Sequence, residues 1–148
     1  MKKQEYEITI HTPAENVWNV LLGQDTYPIW TSVFSENSQV ETDWQEGSKA
    51  LFLDGSGHGM VSEIVINRPP EYLSIRHLGT YKDGIEQTGN DKTNEWAGAM
   101  ENYTLQESNG NTRLLIELDV TEQFQKQMDT MWPLALQKVK ELSEKSTS

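Results

Sequence analysis

The stretch TEQFQKQMDTMWPLALQKVKELSEK, residues Thr121–Lys145, decides the fold. Phe124, Met128, Met131, Ala135, Val139 and Leu142 recur every three or four residues, with Trp132 and Leu136 beside them. That spacing predicts a long helix with one broad apolar face. Pro133 falls inside it, removing one backbone donor and crowding the carbonyl of Asp129. A bend, or a division into two coaxial pieces, is therefore expected. A bent helix of this length can follow a curved sheet, and the residues before it read as one.

From residue 38 to 119 the chain is a series of short runs separated by turn residues, the pattern of an antiparallel sheet, with strands expected near 38–43, 48–54, 59–67, 71–78, 99–107 and 112–119. Asp54-Gly55-Ser56-Gly57 and Ser108-Asn109-Gly110-Asn111 predict hairpin turns, because glycine and asparagine accept the positive φ that tight hairpins need. Pro69-Pro70 predicts another turn, since neither residue can donate to a ladder. In the last strand Thr112, Leu114, Ile116 and Leu118 share one face and Arg113, Glu117 and Asp119 the other, with Leu115 as the exception.

Ahead of the sheet, Tyr6, Ile8 and Ile10 alternate with Glu7 and Thr9, which predicts a first strand with one dry face. Thr12-Pro13-Ala14-Glu15 then reads as a helix start with a capping hydroxyl and a proline in the first turn. Ala14, Val17, Trp18 and Leu21 form its inner face, and Gly23 is expected to end it in a left-handed cap. Asp25 to Phe34 predicts a short helical turn followed by a loop. Residues 79–97, GTYKDGIEQTGNDKTNEWA, have no sustained period and read as a long loop, either a functional rim or a flexible surface excursion.

The chain has 148 residues, a formal charge of -11 and no cysteine. One domain spanning 1–148 is expected. Such a surface repels nucleic acid and anionic membranes, so neither is an expected partner. Disulfides, thiolate metal sites and thiol nucleophiles are excluded. MKKQEYEITIH has two lysines but no apolar run, so no secretory signal or membrane insertion is expected, and the expected location is cytoplasmic.

In order and spacing, ITIHTPAENVWNVL, Trp30, WQEGSKALF, GHGMVSEIVINRPPEYLSIRH, ENYTLQESNGNTRLLIEL and MWPLALQKVKEL resemble the START-like superfamily, also called Bet v 1-like, SRPBCC or helix-grip. Within it the chain is most similar to the group named after the activator of heat-shock protein 90 ATPase. The resemblance implies an α+β fold: a curved seven-stranded antiparallel sheet, two short helices after the first strand, and a long C-terminal helix enclosing an apolar cavity. It implies no single activity, because the superfamily includes lipid carriers, hormone and polyketide binders, cyclases and co-chaperone domains. The resemblance covers no counterpart of the co-chaperone's separate amino-terminal domain, so stimulation of a chaperone ATPase is not the first expectation. His77 also stands where an aromatic is common.

Met128, Met131, Trp132 and Ala135 suit a cavity wall on the long helix, since methionine adapts to irregular space and alanine leaves room. On the sheet, inward parity selects Ala50, Phe52, Leu73, Ile75, His77, Tyr103, Leu105, Leu114, Ile116 and Leu118. Trp30, Phe34, Tyr81 and Trp96 are candidates for the mouth. The expected ligand-binding set is thus Trp30, Phe34, Phe52, Ile75, His77, Tyr81, Trp96, Tyr103, Met128, Met131, Trp132 and Ala135, with His77, Tyr103 and Tyr81 as polar tips. His11, His58 and His77 lie on different elements without metal-ligand spacing, so no metal or cofactor is expected. His11 is expected to bond local backbone. Of Glu63, Glu95 and Glu101, the last shares the inward parity of Tyr103. No serine sits on a nucleophile elbow. The expected function is capture of a hydrophobic or amphipathic small molecule such as a lipid or polyketide. The alternatives are a chaperone-associated or other protein-interaction domain, and a cyclase or hydrolase using the same cavity.

Overall fold

A computed structural model describes residues 2–88 and 97–145. The chain runs β1 (Lys2–Ile10), α1 (Ala14–Leu22), α2 (Tyr27–Trp30), a single 3-10 turn (Thr31–Val33), β2 (Gln39–Glu41), β3 (Lys49–Leu53), β4 (His58–Arg68), β5 (Tyr72–Lys82), β6 (Ile85–Thr88), β7 (Met100–Ser108), β8 (Asn111–Val120) and α3 (Glu122–Lys145). The strands form one antiparallel sheet in the order β1-β8-β7-β5-β4-β3-β2, and β6 pairs with β5 beside β7. The expected α+β architecture is present, with an eighth, short strand. β6 lies inside the stretch read as a loop: Asp83 and Gly84, both at positive φ, turn the chain back so that Ile85 to Thr88 pair with Lys82 to Gly79. A four-residue strand of mixed polarity is too short to show a period.

The parity of the central strands follows from their sequence. Ala50, Leu73, Ile75, His77, Tyr103, Leu105, Leu114, Ile116 and Leu118 are all buried, while Phe52 is half-buried. Asn109 and Gly110 take φ of 54° and 80° in the β7–β8 hairpin, and Gly55 and Gly57 take 84° and 91° in the β3–β4 turn. Pro69-Pro70 forms the β4–β5 turn through a cis peptide bond.

Helix α1 begins at Ala14, with Pro13 in the N-cap position. The Ala14 amide donates to Glu107 Oε1 from β7 at 2.8 Å, so a carboxylate from the sheet holds the helix start. Gly23 has φ -66° and ψ 137°, not the left-handed cap expected. Glycine is needed there for space, since a Cβ would meet Asn19 O at 2.5 Å and Thr26 Oγ1 at 2.6 Å.

Helix α3 is unbroken through Pro133, so the division into two pieces does not occur. Pro133 and Asp129 both lie on the exposed face, where water can take the carbonyl that loses its intrahelical partner. The inner face also differs from the expected stripe. Trp132, Ala135, Leu136, Val139 and Ser143 are buried, Met128 packs half-buried against the core, and Phe124 is 43% exposed. Met131 is half-buried outside the core cluster, its Sδ taking Gln127 Nε2 at 3.8 Å. The spacing was correct, but the helix is rotated so that the indole, with the largest surface to hide, points at the sheet.

Candidate functional site

Trp132 occupies the middle of the space between α3 and the sheet. Its ring lies 6.2 Å from Tyr6 in a stacked arrangement, 5.0 Å from Phe34, 6.1 Å from Trp30 and 6.2 Å from Tyr103. A second set of rings continues toward the β2–β3 connection. Tyr27 meets Trp30 edge-on at 5.5 Å and Phe52 at 6.5 Å, and Phe52 lies 6.4 Å from Trp44 and 6.0 Å from His77. Tyr27, Trp30, Trp44 and Phe52 of this second set, with Tyr103, Leu21, Leu22, Leu73 and Ile75, bound a void of about 10 Å³ under the short helices. It is room for about one water molecule. The hollow expected between α3 and the sheet is thus nearly closed by aromatic side chains.

A polar chain lies on the inner face of the sheet beside this void. Ser62 Oγ is 2.6 Å from His77 Nδ1, His77 Nε2 is 3.2 Å from Glu101 Oε1, and the Tyr103 hydroxyl donates to Glu101 Oε2 in a short hydrogen bond. The sheet register brings these residues together. Val61 pairs with Gly79 but Ser62 pairs with His77, so Leu78 is bulged and Ser62 falls opposite the imidazole. Ile75 pairs with Glu101 and Leu73 with Tyr103, which brings β7's carboxylate and phenol alongside.

Burial pushes the Glu101 carboxyl up. The hydrogen bond and charge of His77, with the Tyr103 hydroxyl, outweigh burial and hold it below its ordinary value. Burial, then Glu101, pushes the Tyr103 hydroxyl well up, and the same two causes raise Tyr27. The cluster therefore presents an ionised carboxylate next to protonated phenols. The Glu101 side chain is 20% exposed and that of His77 10%. Ser62, His77 and Glu101 follow the order of a nucleophile relay, but Ser62 is completely buried and approaches Nδ1 while the carboxylate takes Nε2. This is a polarised hydrogen-bond chain with its hydroxyl sealed from any substrate.

Of the residues expected to bind ligand, Trp30, Phe34, Phe52, Ile75, His77, Tyr103, Trp132 and Ala135 come together in this core. Met128 borders it. Tyr81 does not join it: it sits near the far end of β5, paired with Gly59 and Glu86. Trp96 and Glu95 lie outside the described residues, and Glu63 is on the outer face with Arg76 at 3.2 Å. His11 bonds side chains, not the local backbone: its amide donates to Glu144 Oε2 and its ring meets Asn111 Oδ1 at 3.4 Å. The residues missed are Tyr27 and Trp44. Trp44 stands alone in the polar run Thr42 to Ser48, takes φ 63°, and folds its ring over Phe52. An isolated tryptophan in a polar loop was the available signal.

A wider cleft of about 610 Å³ opens between the start of α1, Pro70 and Tyr72, and Gln106 of β7, and it contains none of the expected site residues. Among the described residues no group of three or more His, Cys, Asp or Glu is placed to hold a metal ion, and no helix is long and apolar enough to cross a membrane.

The model of the family described as Activator of Hsp90 ATPase homolog 1-like protein matches residues 11–144. Protein MLL2253 from Mesorhizobium loti superposes with a TM-score of 0.76 at 15% identity, covering 97% of this chain and 98% of its own. The Aha1 dimer structure from Colwellia psychrerythraea gives 0.72 at 17%, covering 95% and 94%. CalU16 from Micromonospora echinospora gives 0.67 at 17%, covering 95% and 75%. At these identities the structures share the fold with this chain. A comparison with curated proteins finds no match.

Proposed function

Because the chain belongs to the Activator of Hsp90 ATPase homolog 1-like family, in the START-like helix-grip superfamily, we propose that it binds an apolar or amphipathic small molecule between the sheet and the short helices. The observation that carries this reading is the Ser62–His77–Glu101–Tyr103 chain beside an aromatic-walled void. A core that only held the fold together would do about as well with well-packed apolar residues in its place, although breaking the chain once built is costly. Polar groups converging on an apolar wall are what orient a ligand.

Entry requires the void to enlarge, and Trp44 is the movable wall. It is half-buried on the β2–β3 connection, at a positive φ that a non-glycine residue adopts only when held there. Its carbonyl takes Asn67 Nδ2 at 2.5 Å and its amide donates to Thr42 Oγ1 at 3.2 Å. Rotation of the indole away from Phe52 opens the void toward solvent. Each Å² of apolar ligand surface then buried contributes about 25 cal/mol before the costs of association.

Titration with N-phenylnaphthylamine, a neutral probe that fluoresces in apolar surroundings, tests the reading. Uptake is expected in the native protein and is expected to rise in Trp44→Ala. Absence of uptake in both defeats it. A second reading is favoured by the family's description, which names an Hsp90 ATPase activator. In that reading the acidic exterior, with its formal charge of -11, engages a basic surface of a protein partner. Such binding weakens with added salt, whereas apolar capture does not.

A further inference from the structure

Glu101 is the feature of this interior that a purely apolar ligand would not use. Its two oxygens each take one hydrogen bond, from His77 and from Tyr103, and a carboxylate has about four lone-pair directions to fill. The neighbouring polar atoms are committed: the Tyr103 hydroxyl is spent on Glu101, and both His77 nitrogens face Ser62 and Glu101. Glu101 does not itself line the void but lies behind Tyr103, which does, and what it offers a ligand that reaches it is unused acceptor capacity on a carboxylate whose ionic partner is His77.

The walls have the same preference. Tyr27, Trp30, Trp44, Phe52 and Tyr103 surround the void, and aromatic faces carry partial negative charge that attracts cations. Burial first, and the charge of nearby Glu101 second, raise the Tyr27 phenol. Among the described residues the cationic partner of Glu101 is His77, whose two ring nitrogens already face Ser62 and Glu101, so a carboxylate ligand would face Glu101 without a free donor. An ammonium would meet a carboxylate, ring faces and a protein of formal charge -11.

We propose that the ligand of this site is an amphiphile whose polar end is a protonated amine, seated on Glu101 within the rings of Tyr27, Trp30, Trp44 and Phe52. The proposal rests on the reading that the interior binds small molecules and adds the charge and donor character of what it takes. The same logic makes the site reject fatty acids, because a second carboxylate beside Glu101 would be repelled and would bring no donor.

The test is calorimetric titration of the intact chain at neutral pH and 0.15 M salt with octylamine, octanol and octanoate, which share a tail and differ in headgroup. Octylammonium is expected to bind about tenfold or more tighter than octanol, the range of one charge-assisted hydrogen bond, with octanoate weakest. Glu101→Gln is expected to bring octylammonium to the octanol level, with a much smaller change for octanol. If octanol or octanoate binds as well as octylammonium, the charge inference is overturned and the interior-binding reading stands. A preference that survives in folded Glu101→Gln also overturns it, since the outer charge would then be the source. Failure of all three probes overturns both readings together. Should Glu101→Gln not fold, Tyr103→Phe replaces it. That change frees Glu101 Oε2, so octylammonium is expected to gain several-fold relative to octanol, and equal effects on both overturn the proposal.

Discussion

Replacing Trp132 with alanine tests whether the aromatic plug holds α3 to the sheet. The indole is 4% exposed and touches the rings of Tyr6, Trp30, Phe34 and Tyr103. Truncating a buried tryptophan costs about 3–5 kcal/mol, and ring pairs add about 0.5–1.5 kcal/mol each beyond area. With four rings losing a partner, the cost belongs near the top of that range, about 4–5 kcal/mol. For a chain of this size each kcal/mol lowers the midpoint by about 2–4 °C, so thermal unfolding should shift down by about 8–20 °C. Met131, the next residue back, is the control. It is half-buried outside the core cluster, so Met131→Ala should cost about 1 kcal/mol or less. Calorimetry or urea unfolding followed by circular dichroism measures both. A loss at Trp132 under about 2 kcal/mol, or a larger loss at Met131, would refute the rotation of α3 described above.

Three further outcomes are expected. Tyr103→Phe keeps the ring packing but strips Glu101 Oε2 of its donor, which should cost about 1–3 kcal/mol in urea unfolding; an unchanged midpoint would mean that water replaces the phenol freely. Gly23→Ala should destabilise by about 1–3 kcal/mol through contact with Asn19 O and Thr26 Oγ1, although its φ of -66° suits alanine; a stabilised variant would show that the α1–α2 connection gives way without cost. The Glu101 carboxyl is held below its ordinary value of 4.5, so its contribution to stability is complete above that value and is lost as pH falls through the lower folded value. Glu101→Gln should therefore flatten the acid limb of a stability-against-pH curve, and an identical limb in both proteins would contradict the buried, paired carboxylate.

Family membership means that the sequence carried the fold through cues that are local. The alternation of Thr112, Leu114, Ile116 and Leu118, the Asn109-Gly110 turn and the helical spacing in α3 each reflect backbone geometry over a few residues; the strand face, the turn and the helix reappear in the structure, the inner face of the helix only in part. The parity of β7 by itself places Glu101 on the same face as Tyr103. Local cues could not set the rotation of α3. Met131 and Trp132 are adjacent and both apolar, and only the rings waiting on the sheet and on α2 decide which one faces in. Nor could they show that Ser62 meets His77, because that depends on one bulged residue in the β4–β5 register, or that Trp44 folds back over Phe52. Periodicity records which side of an element is dry, whereas a site is made by the register, rotation and loop closure that bring separate elements into contact.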